Sequence, residues 1–108
     1  MNFETSELFS KQLKKLAKKY KNIKKDLLEF MNDFDEIHQK AISIKTNIFK
    51  VRVKNSDKNK GKSTGYRIYY YLKINEKVFL LTIYDKSEIE MINEEILNKM
   101  IKDFKWKT

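Results

Sequence analysis

The apolar positions of this chain change their spacing near its middle, from a helical period to an alternating one. In the first third they recur at intervals of three and four, the spacing of one face of an amphipathic helix. These residues are Phe9, Leu13, Leu16, Ala17 and Tyr20. Ser6 is a suitable N-cap and Glu7 lies in the first turn, so we predict a helix over residues 7–20. Residues 1–5 are predicted to form a short edge strand.

A second helix is predicted after Asn22, which can cap its start. Its apolar residues are Ile23, Leu27, Leu28, Met31 and Phe34. The short link at residues 21–22 favours a helical hairpin. No period dominates residues 35–47, which we interpret as a loop or irregular connection.

Apolar and basic side chains alternate over residues 48–54, which is typical of a strand with one buried face. The apolar members are Phe49, Val51 and Val53, and the basic members are Lys50, Arg52 and Lys54. Residues 65–74 and 78–84 are rich in aromatic and β-branched residues, with a candidate turn at residues 75–76. These three segments are predicted to form an antiparallel meander.

A final helix is predicted to begin after Asn93 and to continue to about residue 104. Its expected buried residues are Ile96, Met100, Ile101 and Phe104. The predicted order is therefore β-α-α-β-β-β-α. It describes an α+β fold with a small antiparallel sheet, an N-terminal helical hairpin and a C-terminal helix. At 108 residues, a single domain spanning residues 1–108 is expected.

Composition excludes several classes of protein. The chain has no cysteine, which excludes a disulfide scaffold and a thiolate site, and its single histidine, His38, excludes a histidine metal cluster. We expect neither a metal nor a small-molecule cofactor. The longest apolar run, residues 78–81, is too short to span a bilayer, and the N-terminus is polar. A cytoplasmic protein without a membrane partner is the expectation.

The net charge of +9 is concentrated in two zones. Residues 11–25 contain eight lysines and no acid, which we interpret as the solvated surface of the helical hairpin. Lysine-rich composition also results from an AT-rich coding sequence, so a lysine-rich globular domain without nucleic-acid activity stays open. Residues 50–67 differ, because they contain seven cations, one acid, both glycines and the only two arginines, Arg52 and Arg67. The planar fork of arginine matches a phosphate bidentately, so this zone suits a polyanion.

Tyrosines accompany the second basic zone. Alternation places Tyr66 and Tyr70 on one face of their strand and Arg67, Tyr69 and Tyr71 on the other. Tyrosines on a sheet beside a basic strand can stack on unpaired bases, although cross-strand packing must account for several of them.

Three segments of the second half together resemble the RelE/ParE superfamily of bacterial toxins, and are most similar to its HigB-like RelE branch. They are Phe-Lys-Val-Arg-Val at residues 49–53, Lys-Gly-Lys-Ser-Thr-Gly-Tyr-Arg-Ile-Tyr-Tyr at residues 60–70, and Phe-Leu-Leu-Thr-Ile-Tyr-Asp-Lys-Ser-Glu at residues 79–88. The resemblance implies the toxin of a type II toxin–antitoxin system that cleaves mRNA on the ribosome. It also implies an antitoxin protein as partner.

Cleavage of RNA through its 2′-hydroxyl, without a metal, needs a base, cations for the phosphorane and an acid for the departing 5′-oxygen. With the resemblance, we assign Arg52 and Arg67 to the scissile phosphate, Lys60 or Lys62 to proton transfer, and Tyr84 to base stacking or positioning. Crowding by like charges lowers the pKa of a lysine, which favours this use of Lys60 or Lys62. The further RNA-binding candidates are Lys50, Lys54, Lys58, Tyr69, Tyr71 and Lys86.

Two alternative functions use the same residues. One is a ParE-like inhibitor of DNA gyrase without nuclease chemistry. The other is a non-catalytic RNA-binding module, which would bind RNA in a salt-sensitive manner and cleave none.

Overall fold

A computed structural model of the chain describes residues 2–58, 65–73, 77–87 and 99. The described residues form three helices and a five-stranded mixed sheet in the order β1-β5-β4-β3-β2. The elements are β1 (Asn2–Thr5), α1 (Glu7–Lys19), α2 (Ile23–Asn32), α3 (Phe34–Gln39), β2 (Ile42–Lys45), β3 (Ile48–Val53), β4 (Tyr66–Lys73) and β5 (Lys77–Asp85). The predicted α+β class is confirmed.

Helix α1 begins and packs as predicted. The Ser6 hydroxyl accepts a hydrogen bond from the Phe9 amide at 2.9 Å, which satisfies one of the free donors at the start of the helix. Phe9 and Leu16 are buried, and Tyr20 is buried at the C-cap. Because this apolar stripe lies against β5, α1 covers one face of the sheet.

Helix α2 is shorter than the second helix that the apolar pattern predicted. Ile23, Leu27 and Phe30 face the core at intervals of four and three, whereas Leu28 is 57% exposed. Phe34 was assigned to the second helix, but α2 ends at Asn32 and Phe34 begins α3.

Residues 35–47 are more ordered than the loop we predicted. They contain most of α3, the whole of β2 and a two-residue connection to β3 that ends at Asn47. Asn47 has a φ of 64°, a left-handed conformation that asparagine tolerates in tight hairpin turns. Elements of six and four residues show too few apolar positions to establish a period, which explains why the pattern missed them.

The sheet is mixed, so the prediction of an antiparallel sheet was wrong. The meander β3-β4-β5 is antiparallel as predicted, and β2 extends it as an antiparallel edge strand. At the other edge β1 pairs with β5 in parallel. A parallel pair needs a long crossover, and here the chain passes through all the other described elements between the two strands. Periodicity identified β1 as an edge strand but contained no information about its partner.

The two faces of the sheet have different contents. On the first, which we call the helix face, Ile68 and Tyr70 pack with residues of α1, α2 and α3. On the second, which we call the arginine face, Tyr69 packs with Phe79 and Tyr84. The predicted separation of Tyr66 and Tyr70 from Tyr69 and Tyr71 is confirmed.

Part of the prediction falls outside the described residues. The turn at residues 75–76 lies there, as does the C-terminal helix except for Lys99, whose backbone is helical. The order seen in the described part is β-α-α-α-β-β-β-β. No helix in this part of the chain is long and apolar enough to cross a membrane.

Gly65 occupies a position that only glycine suits. Its φ is +125°, and a Cβ built on it would lie 2.7 Å from the carbonyl oxygen of Val53. We therefore expect Gly65→Ala to lower the free energy of unfolding by about 3 kcal/mol, from backbone strain and the clash with β3. Urea unfolding followed by circular dichroism measures this change. An unfolding midpoint equal to that of the wild type would contradict the expectation.

Candidate functional site

Arg52, Arg67 and Tyr84 lie side by side across three neighbouring strands of the arginine face. Arg52 on β3 is directly opposite Arg67 on β4, and Arg67 is directly opposite Tyr84 on β5. Directly opposed side chains have Cβ atoms roughly 5 Å apart, and like charges at that distance destabilise a sheet. The row therefore concentrates positive charge at a cost in folding free energy, which a bound anion would offset.

A bulge in β5 is the reason that Tyr84 belongs to this row. Tyr70 pairs with Leu80 and Tyr69 pairs with Thr82, so the intervening Leu81 has no partner across the ladder. The extra residue reverses the facing of all residues that follow it. Unbroken alternation from Leu80 would direct Tyr84 toward the helices, whereas the bulge puts it beside Arg67.

Helix α1 holds the bulge from the helix face. The Ser6 hydroxyl donates to the Leu81 carbonyl at 2.7 Å. The Gln12 side-chain oxygen accepts from the Thr82 hydroxyl at 2.8 Å and from the Ile83 amide at 2.9 Å. These bonds satisfy polar groups at the irregular part of the ladder, so the bulge is a supported part of the fold.

The row borders a pocket of about 470 Å³. Five of the residues predicted from sequence line it, namely Lys50, Arg52, Arg67, Tyr84 and Lys86. Among the described residues that line the pocket, none is acidic. With Lys40, five cations and no carboxylate line this concave surface, which is suited to a phosphate or another compact anion.

Arg67 is the most constrained of these residues. It is only 3% exposed, and its Nη1 donates to the Tyr66 carbonyl at 3.3 Å. Its Nη2 is buried without a hydrogen-bond partner among the described residues. Burial, followed by the nearby charge of Arg52, lowers the pKa of the Arg67 guanidinium. A buried cation with an unpaired donor is costly to a fold, and an anion bound nearby would offset its charge.

Lys50 is half-buried at the side of the row. Its Nζ lies 5.8 Å from the centre of the Tyr69 ring, within the range of a cation–π contact. Burial lowers the pKa of Lys50, and the charges of Arg67, Arg52 and Lys86 lower it further. Lys50 was predicted as an RNA contact. The lowered pKa also makes Lys50 suited to proton transfer.

Tyr69 and Tyr71 are not among the residues that line the pocket. The Tyr69 ring is 3% exposed and stacks with Tyr84, with centroids 6.4 Å apart and planes inclined by 28°. Burial and the neighbouring Tyr84 raise the pKa of Tyr69 to about 12, so it stays neutral at physiological pH. Tyr71 lies partly buried against the apolar cluster of this face. Tyr69 therefore packs against two pocket residues, Tyr84 and Lys50, and does not line the pocket itself.

Lys58 makes an internal ion pair with the fully buried Asp85. Its Nζ donates to Asp85 Oδ1 at 2.7 Å and to the Ser87 hydroxyl at 2.7 Å. The Asn55 side chain donates to Asp85 Oδ2 at 3.0 Å, and the Ser87 amide donates to Oδ1 at 2.9 Å. Asp85 thereby joins the segment after β3 to the end of β5, between the pocket residues Tyr84 and Lys86. Lys58 lies outside the pocket lining.

The remaining predicted site residues lie apart from the pocket lining or outside the described residues. Lys54 is exposed just beyond the end of β3 and does not line the pocket. Lys60 and Lys62, the predicted proton-transfer residues, fall outside the described residues. The described residues on either side of their segment are anchored, by the Lys58 pair and by a 3.0 Å hydrogen bond from the Lys86 amide to the Gly65 carbonyl.

Sequence reasoning missed four residues that line the pocket and one that organises it. Val51 was predicted only as an apolar strand residue, and it lines the pocket from β3. Ile37, Lys40 and Ile42 contribute to the lining from α3, the segment after it and β2. They belong to the stretch interpreted as a loop, so no pattern pointed to them. Asp85 was also missed, although an acid between Tyr84 and Lys86 in a basic region was a visible signal.

His38 packs among aromatic side chains of the helix face. Its Nδ1 forms a hydrogen bond with the Tyr70 hydroxyl, and its ring stacks on Phe34 with centroids 5.6 Å apart. The described residues contain no group of three or more histidines and carboxylates that could hold a metal ion.

No protein-family model matches the sequence, and no curated protein is significantly similar to it. The RelE-like resemblance thus stays a prediction, and a proposal of function has to rest mainly on the geometry of the pocket.

Proposed function

We propose that this chain is an RNA endonuclease that binds a scissile phosphate between Arg52 and Arg67. The observation that carries the proposal is the buried Arg67, directly opposite a second arginine in a pocket whose described lining has no acid. With the family resemblance, we further propose that it acts as a type II toxin on ribosome-bound mRNA. A cognate antitoxin would be the protein that covers this pocket.

The proposed reaction is attack of the 2′-oxygen on the adjacent phosphorus. A bond forms between the 2′-oxygen and phosphorus, the bond to the 5′-oxygen breaks, and the products are a 2′,3′-cyclic phosphate and a 5′-hydroxyl. Arg52 and Arg67 stabilise the charge that develops on the phosphorane. Lys50, with its lowered pKa, joins Lys60 and Lys62 as a candidate to accept the 2′-hydroxyl proton. A second lysine of this set, in its protonated form, donates the proton that turns the departing 5′-oxygen into the 5′-hydroxyl. Tyr84 positions the nucleotide.

Programmed ribosomes provide the direct test. The purified protein is incubated with ribosomes halted on an mRNA, and cuts are mapped by primer extension. We expect discrete cuts, and an mRNA with a single 2′-deoxynucleotide at the mapped position should stay intact there. RNA binding without cuts would favour the non-catalytic module, and inhibition of gyrase supercoiling with intact mRNA would favour the ParE-like alternative.

Lys50→Met tests the role of the half-buried lysine. We expect the rate of cleavage to fall by about 10²-fold, the scale of general acid–base catalysis, because the variant cannot transfer a proton. The rate of the wild type should rise with pH until Lys50 is deprotonated, and this dependence should be absent from the variant. Single-turnover cleavage across a pH series measures both effects.

Lys14→Met is the matched control, since it removes the same charge from an exposed position on α1. Equal rates for Lys50→Met and Lys14→Met would exclude Lys50 from proton transfer. In that case Lys60 and Lys62 would stay the candidates.

A further inference from the structure

Ile42 is one of two large apolar residues that are strongly exposed in the described part of the chain. It is 58% exposed, and the other, Leu28 on α2, is 57% exposed. Ile42 lines the pocket, whereas Leu28 does not. Exposed single apolar residues are common on protein surfaces and need no explanation. Ile42 differs because it lines the same pocket as the cations.

The register of the sheet gives the position of Ile42 relative to the arginines. Ile42 on β2 is directly opposite Lys50 on β3, and Arg52 lies two residues further along β3 on the same face. Diagonal neighbours of this kind are about 7–8 Å apart. Ile37 of α3 also lines the pocket and adds a second aliphatic side chain. One part of the pocket is therefore aliphatic, with Arg52 one diagonal step from Ile42 and Arg67 on the next strand beyond Arg52.

We propose that Ile42, with Ile37, forms a subsite for the base of the nucleotide next to the bound phosphate. The inference rests on the proposed function and specifies how that same pocket would hold its substrate. A nucleotide combines an anionic phosphate with a flat base whose faces are apolar, and the pocket lining combines cations with aliphatic side chains. Inorganic phosphate alone would leave the aliphatic part unused.

The cations around Ile42 favour a nucleotide over an apolar peptide. Lys40 and Lys50 both line the pocket with Ile42, and Lys50 is its cross-strand neighbour. An apolar peptide laid on Ile42 would remove these ammonium groups from water without supplying partners, which is unfavourable. A nucleotide supplies phosphate oxygens to the cations while its base covers the aliphatic side chains.

The test compares two RNA oligonucleotides with the same backbone. Both carry 2′-O-methyl groups that prevent cleavage, and one has abasic sites in place of its bases. Affinities of wild type, Ile42→Ala and Leu28→Ala are measured by fluorescence anisotropy at low salt, where phosphate contacts are strong. Leu28→Ala is the matched control, because it removes an equally exposed aliphatic side chain outside the pocket.

We expect Ile42→Ala to bind the complete oligonucleotide about fivefold more weakly, as partial loss of contact with three methyl-sized groups implies. Its affinity for the abasic oligonucleotide should equal that of the wild type, and Leu28→Ala should change neither affinity. Unchanged affinity of Ile42→Ala for the complete oligonucleotide would overturn the subsite, as would equal weakening with both.

The two proposals can fail separately. If the wild type cleaves mRNA on ribosomes but Ile42→Ala binds both oligonucleotides as the wild type does, only the subsite is wrong. If the wild type discriminates complete from abasic oligonucleotides through Ile42 but cuts no RNA, only the nuclease activity is wrong. Failure of the wild type to bind either oligonucleotide would contradict both.

Discussion

Arg67→Met should abolish most cleavage and at the same time stabilise the protein. Methionine keeps the apolar stem of the side chain but removes the buried guanidinium, whose pKa is lowered by burial and by Arg52. We expect the rate of cleavage to fall by about 10²- to 10³-fold, as for loss of one donor to a transition-state oxyanion. The free energy of unfolding should rise by about 1 kcal/mol, because the variant loses a buried charge whose Nη2 has no hydrogen-bond partner among the described residues.

Opposite signs for activity and stability distinguish a functional arginine from a structural one. Urea unfolding gives the stability, and single-turnover cleavage on ribosomes gives the rate. Arg67→Lys is the informative second variant, since it keeps a charge at the position but lacks the planar fork. A marked loss of stability in Arg67→Met would mean that the guanidinium stabilises the fold. That result would contradict the proposal that Arg67 is kept for phosphate binding at a cost in stability.

Asp85→Asn should cause the largest loss of stability among conservative substitutions in this region. Asp85 is fully buried and accepts hydrogen bonds from Asn55, Lys58 and Ser87. An asparagine of the same shape leaves the half-buried Lys58 ammonium without its charged partner. We expect the free energy of unfolding at pH 7 to fall by about 3 kcal/mol, the scale of a broken buried ion pair. Urea unfolding measures it.

The pH dependence of this effect is set by the pKa of Asp85. Burial alone would raise that pKa, but the hydrogen bonds from Lys58, Ser87 and Asn55 outweigh burial and lower it to about 2. Since the unfolded value is about 4, the folded protein binds fewer protons at this site. The stabilisation is therefore complete above about pH 5 and is lost as the pH falls toward about 2.

Wild type and Asp85→Asn should accordingly approach each other in stability as the pH is lowered. Asp57→Asn is the control, because Asp57 precedes Lys58 in the segment after β3 but is exposed. Among the described residues, its carboxylate accepts hydrogen bonds from Asn22. We expect it to cost less than about 1 kcal/mol. A difference between wild type and Asp85→Asn that stays constant from about pH 7 to about pH 2 would contradict the role of the carboxylate charge.

The cationic part of the site could be predicted from sequence because it lies on regular strands. Alternation in β3 put Lys50 and Arg52 on one face, and alternation in β4 put Arg67 there as well. What alternation could not provide was pairing, since nothing in either strand shows that Arg52 and Arg67 are direct neighbours. Tyr84 is a clearer failure of simple counting, because regular alternation from Leu80 would have assigned it to the helix face.

The apolar part of the site and one edge of the sheet depend on short elements and on distant contacts. Ile37 and Ile42 belong to elements of six and four residues, which are stabilised by tertiary packing and not by a period of their own. The parallel pairing of β1 with β5 joins residues more than 70 positions apart. The formation of these short elements and the pairing of β1 with β5 depend on tertiary packing, which the local sequence pattern does not predict.

The bulge at Leu81 determines which residues of β5 face the pocket. A strand offers each residue only two directions, so a shift of one residue in β5 would exchange Tyr84 for its neighbours as a set, with no intermediate arrangement. Ser6 and Gln12, which do not line the pocket, form hydrogen bonds with the backbone at this bulge. The contact between Tyr84 and Arg67 should therefore be either fully present or absent, and residues that do not line the pocket take part in that choice.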